Sequence, residues 1–312
     1  MTRYRKALPQ LGSDMLLTDS GLETDLLFNH GVDLPEFAAF PLLDDPDGAE
    51  KLRDYYRAHA AVAAESDVGL LLEAPTWRAN ADWGALLGYD ATALADVNRR
   101  AIDLLAEVRD EFADTGRPHP ISGCLGPRGD AYRPESLMTP EEARDYHRPQ
   151  VEAFAGTEAD LVSAMTLTYA AEGIGIAMAA RDAGMPAVLS FTVETDGNLP
   201  DGASLADAIT AVDYATGGYP AYYMINCAHP THFIDVLDRG AAWTARVKGL
   251  RANASSKSHA ELDQATELDA GDPAAFGREY AEVRGQLPYL TVLGGCCGTD
   301  VRHIQSVAAA CL

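Results

Sequence analysis

A chain of 312 residues with 24 Lys and Arg against 47 Asp and Glu carries a formal net charge of −23, a field that repels nucleic-acid phosphates and anionic membrane surfaces. With 47% hydrophobic residues and with 17 Pro and 27 Gly dispersed along its length, it is neither collagenous nor largely disordered, and it is long enough to build a core without disulfides or structural metal. No apolar run approaches the about 18 residues of a membrane span, no signal-peptide pattern precedes Pro9, and five unevenly spaced cysteines do not form a disulfide framework, so a reduced, cytoplasmic protein without nucleic-acid or membrane partners is expected.

Short apolar runs alternate with longer Ala-rich stretches, the sequence form of βα units. Strands are expected at 14–19, 67–73, 119–124, 161–166, 187–193, 221–227, 246–252 and 288–293. Eight such units in one domain spanning 1–312 favour a closed (β/α)8 TIM barrel over an open doubly wound sheet, because closure leaves no unpaired edge.

The first strand ends on Asp19, a carboxylate placed either to pair with an ammonium or to accept turn N–H groups. Glu23, a helical turn onward, reads as a surface or capping residue. Residues 35–47 read as a connection, and 59–65 continue an apolar-periodic helix. At the second strand, Glu73, Trp77 and Arg78 bring a carboxylate, a ring and a guanidinium toward the rim, a combination suited to a cation or, through Arg78, to a carboxylate, or else to packing of Trp77 under a loop and a surface pair for Arg78. Cys124 ends the third strand and is expected to be simply buried; a long loop follows from Gly126. Thr139-Pro140-Glu141-Glu142 marks a helix start with a cap, a proline and first-turn acids.

The fourth strand contains Ser163-Ala164-Met165-Thr166. Thr192, Glu194 and Thr195 follow the fifth, opening a second long loop over 194–203, and Asn253 follows the seventh; each is a candidate for the pocket rim. Asn226-Cys227 closes the sixth strand, with His229 and His232 read as loop or supporting histidines. Residues 253–273 connect to the last unit, where Asp300 caps a helix presenting Val301, Ile304 and Ala308 on one face, and Cys311 lies on that helix.

The sharpest feature is Gly294-Gly295-Cys296-Cys297-Gly298-Thr299-Asp300. Flanking glycines allow the backbone to turn both sulfurs toward one point, and Cys227 on the same rim could supply a third thiolate. Three thiolates would leave the fourth tetrahedral position of zinc open, a catalytic arrangement. Such an ion is a weak activator of water but can bind an incoming thiol as thiolate, which points to alkyl transfer onto sulfur.

On Thr18-Asp19-Ser20-Gly21-Leu22-Glu23-Thr24, Asn226-Cys227 and Gly294-Gly295-Cys296-Cys297-Gly298-Thr299, the chain resembles the homocysteine S-methyltransferase family. The resemblance implies a zinc-dependent barrel that methylates homocysteine to methionine, with Cys227, Cys296 and Cys297 as zinc ligands, Asp19 as a contact to the substrate ammonium, and Glu73, Trp77, Arg78, Thr192, Glu194 and Asn226 around the substrates. The small methyl donor it implies is a sulfonium or quaternary ammonium compound, such as S-methylmethionine or S-adenosylmethionine. One position departs: the family commonly carries Glu before Thr on the fourth strand, and here Met165 precedes Thr166, removing a charged contact to the amino acid. A different small thiol as acceptor, and a non-catalytic zinc-binding interaction protein, therefore stand beside the main reading.

Overall fold

The computed structural model describes residues 2–132 and 137–312. Eight parallel strands close into a barrel in chain order: β1 Leu16–Thr18, β2 Gly69–Glu73, β3 Ile121–Leu125, β4 Leu161–Leu167, β5 Ala187–Phe191, β6 Tyr222–Asn226, β7 Val247–Ala252 and β8 Val292–Gly295. Leu16 is in register with Gly69 on one side and Val292 on the other, which closes the ring and excludes the open sheet. The strands are buried on both faces, as parallel strands covered by helices must be, and so read as continuous apolar runs.

Strand parity divides the core in two. Leu70, Leu72, Leu189, Tyr223, Ile225 and Leu293 face outward and pack under the helices, whereas Leu16, Leu71, Leu161, Val188, Tyr222, Met224 and Val292 form the barrel interior. Leu8 joins that interior cluster, and Gln10 donates to the Tyr222 hydroxyl at 3.2 Å. Following the same parity along each strand brings Glu73, Met165, Asn226 and Arg251 to the interior at the C-terminal end.

The expected helix starts are present. Thr139 and Glu142 form a capping box at helix Pro140–Ala155, and Asp300 accepts from the Arg302 N–H at helix Val301–Cys311, where Ile304, Val307, Ala308 and Cys311 are buried. Residues 59–65 complete helix Pro46–Glu65. The eighth strand differs most from expectation: 288–291 precede the ladder, and β8 instead takes in Gly294 and Gly295, so Cys296 and Cys297 follow it directly. The two glycines belong there for steric reasons. A Cβ on Gly294 would overlap the Thr18 hydroxyl, and one on Gly295 would overlap the Thr299 hydroxyl. Among the described residues no helix is long and apolar enough to cross a membrane.

Candidate metal centre and substrate cavity

A cavity of about 450 Å³ opens at the C-terminal ends of the strands, within the range usual for small-molecule sites. The Sγ atoms of Cys227, Cys296 and Cys297 converge at its wall, all within 4.8 Å of one another. Cys227 and Cys297 sulfurs are 3.8 Å apart, and those of Cys227 and Cys296 are in disulfide contact.

The backbone that delivers each sulfur is held from several sides. Cys227 has φ +53°, a left-handed conformation that a residue with a Cβ adopts at a cost. Its amide donates to the Arg251 carbonyl at 3.1 Å. Its carbonyl accepts from His259 Nε2 at 2.6 Å, Asn253 Nδ2 at 3.1 Å and the Thr192 hydroxyl at 3.3 Å. Asn226 accepts from the Thr166 amide and the Ser190 hydroxyl, donates to the Thr166 hydroxyl, and lies 3.8 Å from the Cys296 sulfur.

The Cys296 turn is locked to the first strand's loop. Thr299 donates backbone N–H and hydroxyl to the Cys296 carbonyl, the Gly21 N–H donates to Thr299, and the Gly298 N–H donates to the Thr24 hydroxyl at 3.0 Å. Gly21 sits so close that an added Cβ would overlap the Cys296 carbonyl oxygen. Gly21→Ala is therefore expected to destabilise the fold by about 1–3 kcal/mol through overpacking and to lower metal occupancy; urea unfolding and metal analysis on the same preparation check both.

The sequence-predicted residues divide by position. Asp19, Glu73, Trp77, Arg78 and Asn226 line the cavity with the three cysteines, and so does Met165. Thr192 and Glu194 do not. Thr192 holds the Cys227 carbonyl, and Glu194 lies 3.2 Å from Nδ1 of His259. The loop over 194–203 that follows folds back on itself, with Asn198 bridging Ser204. His229 caps a short helix and reaches Glu279 at 3.2 Å, apart from the sulfur cluster. Cys124 is buried as expected, although it borders the cavity.

Glu23 corrects the surface assignment. It faces the cavity, partly covered, and burial raises its carboxyl to about 7. The connections at 35–47 and 253–273 also contribute more than linkage: Phe37 and His259 both line the cavity. Tyr132, from the long loop after β3, stacks on the His259 ring at a centroid distance of 4.2 Å, with its hydroxyl 3.8 Å from the Cys297 sulfur. Residues 133–136 of that loop lie outside the described residues.

Arg251 is the principal residue that sequence reasoning missed. Only 8% exposed on β7, it sits 3.0 Å from Asp19 Oδ1 and donates to the carbonyls of Gly295 and Ser20, each at 3.0 Å. Burial works to lower its pKa, but Asp19 and Glu73 override that and raise it, so it is a permanent cation. Its signal was legible: an arginine at an inward position of an otherwise buried strand needs a buried anion. Asp19 also accepts from the Tyr55 hydroxyl at 3.2 Å. Arg78 lies 3.9 Å from the Trp83 ring and 5.2 Å from that of Trp77, and donates to the Glu36 carbonyl.

A closed eight-stranded α/β barrel with three converging cysteines at the C-terminal mouth defines an enzyme architecture with a soft-metal site. The sequence profile described as homocysteine S-methyltransferase matches residues 16–311, and the chain belongs to that family of methyl-transferring enzymes. It is 25% identical over 311 residues to the homocysteine S-methyltransferase of Escherichia coli, covering 95% of each chain. It is 23% identical to homocysteine S-methyltransferase YbgG of Bacillus subtilis, covering 95% of this chain and 94% of that one. Among solved structures, the metallated form of the homocysteine methyltransferase MmuM from E. coli shares the fold at a TM-score of 0.76 and 21% identity, covering 98% of this chain and 99% of that one. The oxidised form of the same protein superposes at 0.75, with 22% identity over the same shares.

Proposed function

We propose that this protein methylates homocysteine to methionine at a zinc ion held by Cys227, Cys296 and Cys297, taking the methyl from a small sulfonium donor such as S-methylmethionine. The observation that carries the reading is the convergence of three sulfurs, from the ends of β6 and β8, on the wall of a cavity large enough for small molecules. Their chemistry fits zinc. Tetrahedral Zn–S bonds of about 2.3 Å put neighbouring sulfurs about 3.8 Å apart, the separation seen between Cys227 and Cys297. Burial pushes the Cys297 thiol up to about 11, so a bound cation is needed to keep it as thiolate. The Cys227–Cys296 pair binds metal in its dithiol form.

When bound, zinc supplies one thing: it lowers the pKa of a fourth, incoming thiol so that the substrate is a thiolate near neutral pH. The protein's own residues then orient the partners. The thiolate lone pair forms the new S–CH3 bond as the donor's C–S⁺ bond breaks, with that electron pair returning to the donor sulfur, which leaves as a neutral thioether. The substrate thiol's proton goes to solvent. Asn226 holds the Cys296 side of the centre, while Thr192, Asn253 and His259 hold the Cys227 backbone. Trp77 offers a ring face to a sulfonium, which has no N–H to donate, and Arg78 offers a partner for a carboxylate.

Reduced, zinc-loaded protein given homocysteine and trideuteromethyl-labelled S-methylmethionine is expected to form trideuterated methionine by mass spectrometry. Label found only on another offered thiol would establish the second acceptor reading, which the buried Met165 in the cavity favours. Zinc binding without transfer from any sulfonium or quaternary ammonium donor would establish the non-catalytic one.

A further inference from the structure

We infer that Glu73, at the C-terminal end of β2, is the residue that receives the ammonium group of an amino-acid thiol in this enzyme. The inference rests on the thiol-methylating reading above and concerns which carboxylate recognises the substrate.

Of the carboxylates that line the cavity, Asp19 and Glu73 are the buried ones, while Glu23 is only partly covered, and the two are not equivalent. Asp19 is already matched in charge: Arg251 forms an ion pair with it at 3.0 Å from Oδ1, although that oxygen, like Oε2 of Glu73, accepts no aligned hydrogen bond, and the Tyr55 hydroxyl donates to Oδ2. Arg251 is itself anchored by two backbone carbonyls, so the Asp19–Arg251 pair forms part of the wall. A second cation at Asp19 would stand against a guanidinium.

Glu73 is only half matched. It is 3% exposed and lines the cavity. Oε1 accepts from the Ser163 hydroxyl at 3.0 Å, and Ser163 in turn is 2.7 Å from the Ser122 hydroxyl, a chain that fixes the carboxylate from the barrel interior. Oε2 is buried without a hydrogen-bond partner. Leaving a buried acceptor unpaired costs free energy that a substrate donor would recover on binding. Burial raises the carboxyl to about 7, with Arg251 opposing the rise and Asp19 adding to it, and an arriving cation would favour the anion.

The chemistry of the vacant oxygen selects among cations. An ammonium brings N–H donors that satisfy Oε2 directly, whereas the sulfonium centre of a methyl donor, or a quaternary ammonium centre, has none and would leave it unpaired. Met165 lines the same cavity and, with a thioether in place of a charge, cannot provide this contact.

The test compares homocysteine with 4-mercaptobutyrate, which keeps the thiol and carboxylate and lacks only the amino group. Calorimetric binding to zinc-loaded wild-type enzyme is expected to favour homocysteine by about 10- to 100-fold, the range of a charge-assisted hydrogen bond. Glu73→Gln should erase that preference while leaving the affinity for 4-mercaptobutyrate within about twofold, and Glu73→Asp should retain part of it. A Glu73→Gln protein that keeps the full preference, or that loses affinity for both thiols equally, overturns the assignment. Methionine formation measured alongside separates the two claims: a preference that depends on Glu73 without turnover would sink the catalytic reading alone, and turnover with a preference insensitive to Glu73 would sink this one alone. If Glu73→Gln does not fold, the homocysteine complex of the wild-type enzyme decides: an ammonium within about 3.2 Å of Oε2 supports the proposal, and one seated on Asp19 overturns it.

Discussion

Cys297→Ala is expected to reduce methyl transfer by more than about 100-fold, beyond the 10- to 100-fold usual when only a supporting contact to a metal ligand is lost. The reason is local. The three sulfurs within 4.8 Å of one another are the only such cluster of His, Cys, Asp and Glu groups among the described residues, so no fourth side chain there takes over as ligand. Metal analysis should show the loss of zinc before any assay is run. Cys311→Ala provides the comparison: that thiol is buried on the C-terminal helix, away from the cavity, and its removal should lower stability modestly while zinc content is retained. One zinc per chain and undiminished transfer in Cys297→Ala would remove the basis of the proposed function.

Arg251→Met is expected to destabilise the protein by about 3–5 kcal/mol, as when one partner of a buried ion pair is deleted. Methionine nearly preserves the volume, so the loss is electrostatic. Asp19 would keep the Tyr55 hydroxyl but lose its cation, Glu73 would lose the field that favours its anion, and the carbonyls of Ser20 and Gly295 would each lose a donor. Because those two carbonyls flank Gly21 and Cys296, metal occupancy should fall with stability. Urea unfolding of Arg251→Met, Asp19→Asn and the double variant checks the coupling. The double variant should be less destabilised than the sum of the singles, since removing both charges leaves neither one stranded. A strictly additive result would mean that the pair does not act as a unit.

The contrast between Asp19 and Glu73 shows where sequence reasoning reached its limit. Both were legible as carboxylates at strand ends, and both line the cavity. Which of them is available depends on Arg251, 232 residues along the chain from Asp19, and no local pattern reports that pairing. Thr192 and Glu194 illustrate the same limit: their position at the end of β5 suggested the rim, but their side chains contact the Cys227 carbonyl and His259 instead of lining the cavity. Glu23 read as a surface or capping acid one helical turn past Asp19, yet it lines the cavity together with residues from elsewhere in the chain.

Some features needed nothing beyond the chain itself. Eight alternations of buried strand and amphipathic helix imply a closed parallel barrel, because period and turn chemistry are local and closure is the way to leave no strand edge unpaired. The paired cysteines between glycines announced a sulfur centre for a similar reason: only glycine tolerates the close approaches found at Gly294 and Gly295. The tertiary structure decided the charge balance at the barrel mouth, tying Asp19 to Arg251 in an ion pair and leaving one Glu73 oxygen with no hydrogen-bond partner. Buried charges respond to whatever the closed barrel brings within a few ångströms, and that proximity exists only once all eight strands are in register.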